Sequence, residues 1–336
     1  MMDVSREELK QIILGRIRQD PLAADLRWSF FLSALQSYRC DSVLRPFPPR
    51  YIDDDGEKRT DTLKAVADEI PGIFQLSAEI NYISDEALEL LAWALDNSLF
   101  QILTLNKSEF RNIQMKTGHV TSVPEPSFVF EVLHGQTPEQ KFESLLNGRK
   151  LMYAYHGSRI ENFHSILHSG LANHMNKVSL FGKGIYLSSE LAVSLMYSPG
   201  GQGWSESQLG PNLGCVAVCQ LIDDPSVKCT VKEDDMTEPS TSKNRARASE
   251  SQAGDVPERY YVVENNEMVR IKYLLVYCEP TTTHRERSLH AVPWYRRNRF
   301  AVLMTLYLCV LLVIGLWSSR TFSVFLRKFL YSVGFS

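Results

Sequence analysis

The residues best suited to chemistry form a spaced set of polar and aromatic side chains in the second half of the chain. A predicted strand, Leu151–Tyr155, ends in the run His156–Arg159 (HGSR), and the glycine-rich run Gly182–Tyr186 (GKGIY) leads into another predicted strand. Ser194 and Tyr197 follow on a predicted helix, where their i, i+3 spacing puts them on one face. The pattern predicts one binding site assembled from three elements.

Side chains of these types suit a positively charged aromatic ring attached to a ribose. Gly157 lets backbone N–H and C=O groups approach a carboxamide, and the faces of Tyr186 and Tyr197 can stack on a pyridinium cation. His156 and Ser194 supply hydrogen bonds for ribose and amide groups. Each residue alone has an ordinary structural explanation, either at the surface or in the core. Together they indicate a nicotinamide-ribose site.

Three other patterns favour structural explanations. Cys215 and Cys219 share a face of a predicted strand and have no further ligands at zinc spacing, so we interpret them as core residues. His164 and His168 stand i, i+4 on a predicted helix but lack the glutamate of HExxH, so we predict no metal site. The G-x-G of residues 182–184 leads into a strand rather than opening a helix, which argues against dinucleotide-fold and Walker phosphate loops.

The spaced set resembles the catalytic domain of the poly(ADP-ribose) polymerase family, the diphtheria-toxin-like ADP-ribosyltransferases. The similarity lies in H-G-S, then F-G-K-G-I-Y, then a serine and a tyrosine eight and eleven residues after that tyrosine. It covers roughly residues 125–280, and the whole layout is similar to the tail-anchored mono-ADP-ribosyltransferase of that family. The resemblance implies NAD⁺ as co-substrate, bound in a cleft between small antiparallel sheets.

The resemblance also assigns roles to individual residues. It implies NAD⁺ binding by His156, Gly157, Ser158, Tyr186, Ser194 and Tyr197, and catalysis by His156, Tyr186 and Tyr260. His156 is expected to bind the adenine-ribose hydroxyl, and Gly157 and Ser194 the nicotinamide amide. Tyr186 and Tyr197 are expected to contact the nicotinamide-ribose and the ring. The segment Leu171–Lys183 is expected to lie over the donor.

Tyr260 departs from the pattern of the polymerising members, which carry a glutamate there and read H-Y-E where this chain reads H-Y-Y. An ionised glutamate activates the acceptor hydroxyl for elongation, whereas a phenol with a pKa near 10 does this poorly. Glu264 shares the face of Tyr260 but lies about 13 Å farther along the strand, too far to substitute. We therefore expect transfer to stop at one ADP-ribose.

The elements that position these residues divide the chain into an α+β arrangement. Residues 1–100 are predicted to be helical: Ser5 and Glu8 have capping-box spacing, and Asp25–Tyr38 and Asp85–Leu103 show a 3.6-residue period. This half shows no nucleophile–base pair and is interpreted as a packing or regulatory module. Short predicted strands then follow, at Phe128–Leu133, Lys150–Tyr155, Gly184–Leu187, Leu213–Ile222, Tyr260–Val263 and Met268–Tyr277.

Only brief helices are predicted between these strands, notably Glu161–His168 and Ser189–Tyr197, and residues 232–258 have the composition of a solvated loop. The predicted domains are a helical, regulatory domain (1–100), a catalytic domain (101–282), a basic linker (283–299), a transmembrane helix (300–317) and a lumenal amphipathic tail (318–336).

Residues 300–317 are eighteen residues without a charge, and arginines flank them on both sides. A helix of that length reaches about 27 Å, which suits a thin bilayer. The first residues contain acids and no apolar signal region, so we expect insertion after synthesis as a tail anchor. The thinner membrane of the endoplasmic reticulum, or the continuous nuclear envelope, is the expected location, with the catalytic domain in the cytosol.

Composition agrees with a packed protein in a reducing compartment. Of 336 residues, 44% are apolar and 22% charged, and the six cysteines are too scattered for a secreted disulfide framework. The 36 basic and 39 acidic residues create no general positive field, so we expect no direct nucleic-acid binding.

The sequence therefore predicts a membrane-anchored transferase that moves a single ADP-ribose from NAD⁺ to protein side chains, its own included. The alternative is a catalytically weak scaffold that binds NAD⁺ or ADP-ribose on a membrane, and the missing glutamate motivates it. A third interpretation, a tether whose helical half only recruits partners, has no support beyond the amphipathic helices. Modification with labelled NAD⁺ separates the first two.

Overall fold

The computed structural model describes residues 5–118, 122–171, 181–229 and 259–278, together with Met304 and Tyr307. The predicted loop 232–258, the linker 283–299, most of the predicted membrane helix and the tail lie outside these residues. Among the described residues, no helix is both long enough and apolar enough to cross a membrane. The described residues from Ser5 to Cys278 belong to one compact unit.

The first half of the chain is helical, as predicted up to residue 94. Its helices are α1 (Arg6–Gln19), α2 (Pro21–Gln36), α3 (Cys40–Val43), α4 (Thr60–Asp68), α5 (Leu76–Glu79) and α6 (Asp85–Ala94). Ser5 and Glu8 form the predicted capping box of α1. Asp20 caps α2 by accepting a hydrogen bond from the Ala23 N–H, and Pro21 occupies the first turn, where its missing N–H costs nothing.

The second half combines an antiparallel sheet with short helices. Its strands are β1 (Phe100–Leu105), β2 (Phe128–His134), β3 (Leu151–Ser158), β4 (Ile185–Ser188), β5 (Gly201–Gln202), β6 (Asn212–Ile222), β7 (Tyr260–Val263) and β8 (Val269–Cys278). The helices are α7 (Glu109–Thr117), α8 (Gln136–Leu146), α9 (Phe163–Ser169) and α10 (Leu191–Met196). All six predicted strands are confirmed within a residue or two, except that β3 extends through Ser158.

The described strands form one sheet, in the order β1-β2-β8-β6-β3-β4-β7, with β5 paired to β6. Every pairing is antiparallel, as expected. The family resemblance implied separate small sheets, whereas here β3 and β4 join through the pair Tyr155 and Ser188. Because that junction is so short, the two strands can diverge and leave room for a ligand beside it.

The predicted helix Asp85–Leu103 is wrong after Ala94, which is nearly half of its length. The helix α6 ends at Ala94, and Phe100–Leu105 is the edge strand β1. Phe100 and Ile102 point into the same core as Phe130 of the neighbouring strand, which is the period of two that a sheet requires. The apolar residues fit both periods, so pairing with β2 decided the outcome.

Helix α2 belongs to two hydrophobic cores, which explains why it is buried on all sides from Ala23 to Leu35. Trp28 and Phe31 lie in the core of the helical half. Leu26 and Phe30 lie in the core beneath the sheet, where the Phe30 ring stacks on Phe163 of α9 with centroids 5.3 Å apart. A helix with apolar side chains on more than one side needs more than one apolar partner surface, and two cores provide them.

Asp20 offers a test of how the two halves support each other. Besides capping α2, its carboxylate accepts hydrogen bonds from the Thr104 N–H (2.6 Å) and hydroxyl (2.7 Å) on β1. We expect Asp20→Ala to lower the free energy of unfolding by about 2 kcal/mol, since it removes a helix cap and leaves polar groups of Thr104 unpaired. Denaturant unfolding would measure this, with Asp54→Ala in an exposed turn as the control. Equal midpoints for the two variants would contradict the prediction.

Candidate active site

A cavity of about 370 Å³ lies where β3, β4, β7 and α10 meet. This volume is in the range of small-molecule sites. Six of the seven predicted site residues line it: His156, Gly157, Tyr186, Ser194, Tyr197 and Tyr260. The structure also places Tyr155, Phe181, Leu187, Ser188 and Val193 in its lining. Residues separated by more than a hundred positions in sequence thus share one wall.

His156 is held in a single protonation state. Its Nδ1 lies 2.9 Å from the Tyr186 carbonyl oxygen, and since a carbonyl can only accept, Nδ1 carries the proton. Burial lowers the pKa of His156, so the imidazole is neutral at pH 7. The other nitrogen, Nε2, is therefore a hydrogen-bond acceptor, suited to a hydroxyl group of a ligand.

Gly157 brings β3 into contact with α10. A Cβ built on Gly157 would overlap the backbone carbonyl oxygen of Ser194 and lie 2.9 Å from the Cβ of Tyr197. No other residue type fits without moving the helix. The close approach is thus a requirement of packing, in addition to the exposure of backbone groups that the sequence suggested.

The hydroxyl of Tyr186 is occupied within the glycine-rich turn. It donates to the Gly182 carbonyl oxygen at 2.7 Å and accepts from the Phe181 N–H at 2.9 Å. These bonds fix the turn that precedes β4 and hold the Tyr186 ring at the cavity wall. Its contribution to the cavity is therefore the aromatic face.

Tyr260 completes a group of aromatic residues in the cavity lining. Its ring centroid lies 6.0 Å from that of Phe181, which in turn lies 6.3 Å from Tyr186. Burial, together with a hydrogen bond to the Tyr197 hydroxyl, raises the pKa of Tyr260, so the phenol is neutral at pH 7. Tyr197 keeps 59% of its surface exposed, which leaves its ring available to a ligand.

Ser158 is the predicted site residue that lies outside the cavity lining. Its N–H donates to the Ser198 hydroxyl at 3.1 Å, and its own hydroxyl accepts from the Asn162 amide at 2.9 Å. Both polar groups therefore bind protein rather than facing the cavity. In the structure, Ser158 joins neighbouring segments of the protein behind the cavity lining.

The described lining contains no ionised side chain at pH 7. Glu264, which the sequence placed too far along the strand to serve, forms an ion pair with Lys228 at 2.5 Å. Glu190 precedes α10 and pairs with Arg259 at 3.0 Å. The cavity therefore offers a cationic ligand aromatic faces rather than carboxylates.

Two family models match this chain. Residues 15–95 match the ARTD15 N-terminal domain, and residues 107–279 match the poly(ADP-ribose) polymerase catalytic domain. The chain belongs to the poly(ADP-ribose) polymerase family. The second match spans the whole cavity lining, from Tyr155 to Tyr260.

Named members of the poly(ADP-ribose) polymerase family are similar over most of the chain. This chain is 45% identical over 311 residues to the human protein mono-ADP-ribosyltransferase PARP16. The aligned region covers 92% of this chain and 95% of that protein. The mouse protein of the same name is 44% identical with the same coverage. The mouse protein mono-ADP-ribosyltransferase PARP8 is 27% identical over 253 residues, 60% of this chain and 28% of that protein.

The cavity lining includes residues that the sequence motifs did not indicate. Ser188 lies two residues beyond Tyr186 on β4, and Val193 lies four residues before Tyr197 on α10, so both share faces with predicted residues. The strand and helix periods could have found them. Phe181 opens the F-G-K-G motif, but an apolar side chain in a loop does not by itself indicate a ligand contact. Most of the predicted donor loop, Leu171–Lys183, lies outside the described residues.

The buried histidines and cysteines elsewhere have structural partners. His164 Nε2 lies 3.0 Å from the Pro46 carbonyl oxygen, and His168 Nδ1 lies 2.7 Å from the His164 carbonyl oxygen. Burial lowers the pKa of His164 to about 3, so it is neutral in the folded protein. Cys215 and Cys219 lie on β6, and their side chains are fully buried in the core on one face of the sheet, as the sequence predicted.

Gly157 gives a direct test of the cavity geometry. We expect Gly157→Ala to reduce NAD⁺ turnover at least about tenfold, because the new methyl group must displace the backbone of α10. Gly15→Ala is the matched control, since a Cβ at Gly15 in α1 meets open space; it should stabilise the chain by about 1 kcal/mol and leave turnover unchanged. Steady-state assays and thermal unfolding measure both. Full turnover by a folded Gly157→Ala variant would disprove the role of this contact.

Proposed function

We propose that this protein transfers a single ADP-ribose from NAD⁺ to protein side chains, including its own, and releases nicotinamide. The observation that carries the proposal is the convergence of His156, Tyr186, Ser194, Tyr197 and Tyr260 on one cavity without an ionised side chain. Family membership and the names of the relatives support the same reaction.

The described residues fit the nicotinamide half of NAD⁺. The pyridinium ring is a cation, and the ring faces of Tyr186 and Tyr197 can hold it by stacking and cation–π attraction. The buried Ser194 can hydrogen bond the carboxamide, and His156 Nε2 can accept from a ribose hydroxyl. These contacts orient the bond between the nicotinamide nitrogen and the anomeric carbon.

The chemical step breaks that bond. Its electron pair stays with nicotinamide, which leaves as a neutral ring, and positive charge develops on the ribose. A nucleophilic side chain of the target protein then attacks the anomeric carbon and gives up its proton to solvent. The described lining residues contribute orientation, since no carboxylate among them faces the developing charge.

A single unit is the expected product because Tyr260 stands where an elongating enzyme needs a base. The neutral phenol cannot take a proton from the hydroxyl of a bound ADP-ribose at pH 7. Its ring and that of Phe181 also form an apolar part of the cavity lining, which offers no polar group to a second ADP-ribose. Both features favour one transfer followed by release.

Mass spectrometry of the protein incubated with NAD⁺ tests the proposal. We expect single ADP-ribose units, and loss of modification in His156→Ala and Tyr186→Ala. Tyr197→Ala should weaken NAD⁺ binding by roughly 1–3 kcal/mol, or about 5- to 150-fold. Tyr82→Ala is the control, since Tyr82 is 87% exposed in the helical half. A ladder of products would reject the single-unit argument, and NAD⁺ binding without any transfer would favour the scaffold.

We further propose that residues 300–317 anchor the protein in the endoplasmic reticulum membrane or the nuclear envelope. Eighteen uncharged residues suit the thinner of the cellular bilayers. Five Lys and Arg residues in 284–299 against three in 318–336 favour a cytosolic amino-terminal side. Phe322, Phe325, Phe329 and Val333 recur at helical spacing, which suits a tail lying along the lumenal interface.

Glycosylation reports the topology. An Asn-x-Ser acceptor appended after Ser336 should be glycosylated in microsomes, while Asn106-Lys-Ser108 should remain unmodified. A Gln-x-Ser tail is the matched control. Deletion of residues 284–336 should release an active enzyme from membranes. Glycan on Asn106 with none on the tail would reverse the proposed orientation.

A further inference from the structure

A hydrogen-bonded chain runs from the helical half to the edge of the cavity. Arg39, just beyond α2, donates to the Asn162 side-chain oxygen at 3.3 Å. The amide nitrogen of Asn162 donates to the Ser158 hydroxyl at 2.9 Å, and the Ser158 N–H donates to the Ser198 hydroxyl at 3.1 Å. Ser198 directly follows Tyr197, so the hydrogen-bonded chain ends next to a residue that lines the cavity.

The segment that follows Ser198 contacts the helical half again, through Trp204, Ser207 and Gln208. Trp204 is 6% exposed and inserts into the core of the helical half, where its ring meets Trp28 edge-on with centroids 6.3 Å apart. The buried carboxylate of Asp25 on α2 accepts hydrogen bonds from the Ser207 hydroxyl (2.5 Å) and the Gln208 N–H (2.8 Å). Residues 198–208 therefore connect α10 to α2.

These contacts help to hold α10, the short helix that forms one side of the cavity. Helix α10 has only six residues, and an isolated helix of that length is unstable in water. Its position comes from the Gly157 contact on one side and from the Ser198 bond at its end. Gly201 packs against Ile160, the residue that opens the turn bearing Asn162; a Cβ on Gly201 would lie 2.7 Å from the Ile160 side chain.

We propose that Arg39, Asn162 and Ser158 are positioning residues for the NAD⁺ site, through which the helical half fixes Tyr197 and Ser194. The proposal rests on the proposed function of the cavity. It makes the helical half a structural part of the active site. The ion pair of Arg39 with Glu161 (3.8 Å) orients the guanidinium toward the same turn.

The chain offers a matched pair of arginines for a test. Arg39 and Arg50 both lie in the helical half and both are part-exposed, but Arg50 pairs with Glu86 and Glu89 inside that half. In the full chain in detergent, we expect Arg39→Ala to raise the KM for NAD⁺ by about two- to tenfold. The same substitution should leave kcat nearly constant, because binding geometry is affected before chemistry. Arg50→Ala should match the parent in both constants.

A double-mutant cycle separates positioning from general stability. If Arg39 acts through Ser158, the effect of Arg39→Ala on KM should largely disappear in the Ser158→Ala background. Arg50→Ala should remain silent in both backgrounds. Thermal unfolding of each variant shows whether any loss follows stability instead.

Three results would overturn the proposal. The first is a parental KM for Arg39→Ala, and the second is KM effects of Arg39→Ala and Ser158→Ala that simply multiply. A KM that follows the melting temperature equally in Arg39→Ala and Arg50→Ala would do the same. Failure of the proposed function looks different, since the parent protein itself would then release no nicotinamide from NAD⁺.

Discussion

The close approach of β3 to α10 at Gly157 is the constraint on which the site depends. Because the Ser194 carbonyl occupies the space that a Cβ would need, strand and helix meet backbone to backbone. That contact places Ser194 and Tyr197 opposite His156, which the Tyr186 carbonyl orients from β4. The missing side chain of Gly157 thus fixes Ser194 and Tyr197, while a separate hydrogen bond fixes His156.

The described cavity lining suits a cationic ligand although it contains no carboxylate. The described cavity wall is built from tyrosines, a phenylalanine and a neutral histidine, and the nearby acids Glu190 and Glu264 are paired with Arg259 and Lys228. Aromatic faces attract a pyridinium ring but cannot accept a proton from a hydroxyl group. The same composition that suits NAD⁺ binding therefore disfavours elongation.

Helix α2 links the two halves because it supplies side chains to two cores. Trp28 packs with the other helices, while Phe30 stacks on Phe163 beside the turn that carries Asn162. Asp20 at its beginning and Arg39 just beyond its end each bind the sheet-containing half. Helix α2 is therefore held by contacts to both halves along its length and near both ends.

The sequence alone predicted six of the eight described strands and the motif residues that line the cavity, because alternation, glycine turns and i, i+3 spacing are local properties of a chain. It could not decide between helix and strand at Phe100–Leu105, where the apolar residues fit both periods and only pairing with β2 settles the matter. It assigned Ser158 to the ligand, whereas the folded protein satisfies both its polar groups internally. Arg39 and Asn162 are distant in sequence and meet only because the two halves pack together. Only the tertiary structure therefore shows which residues hold the cavity-lining side chains in place.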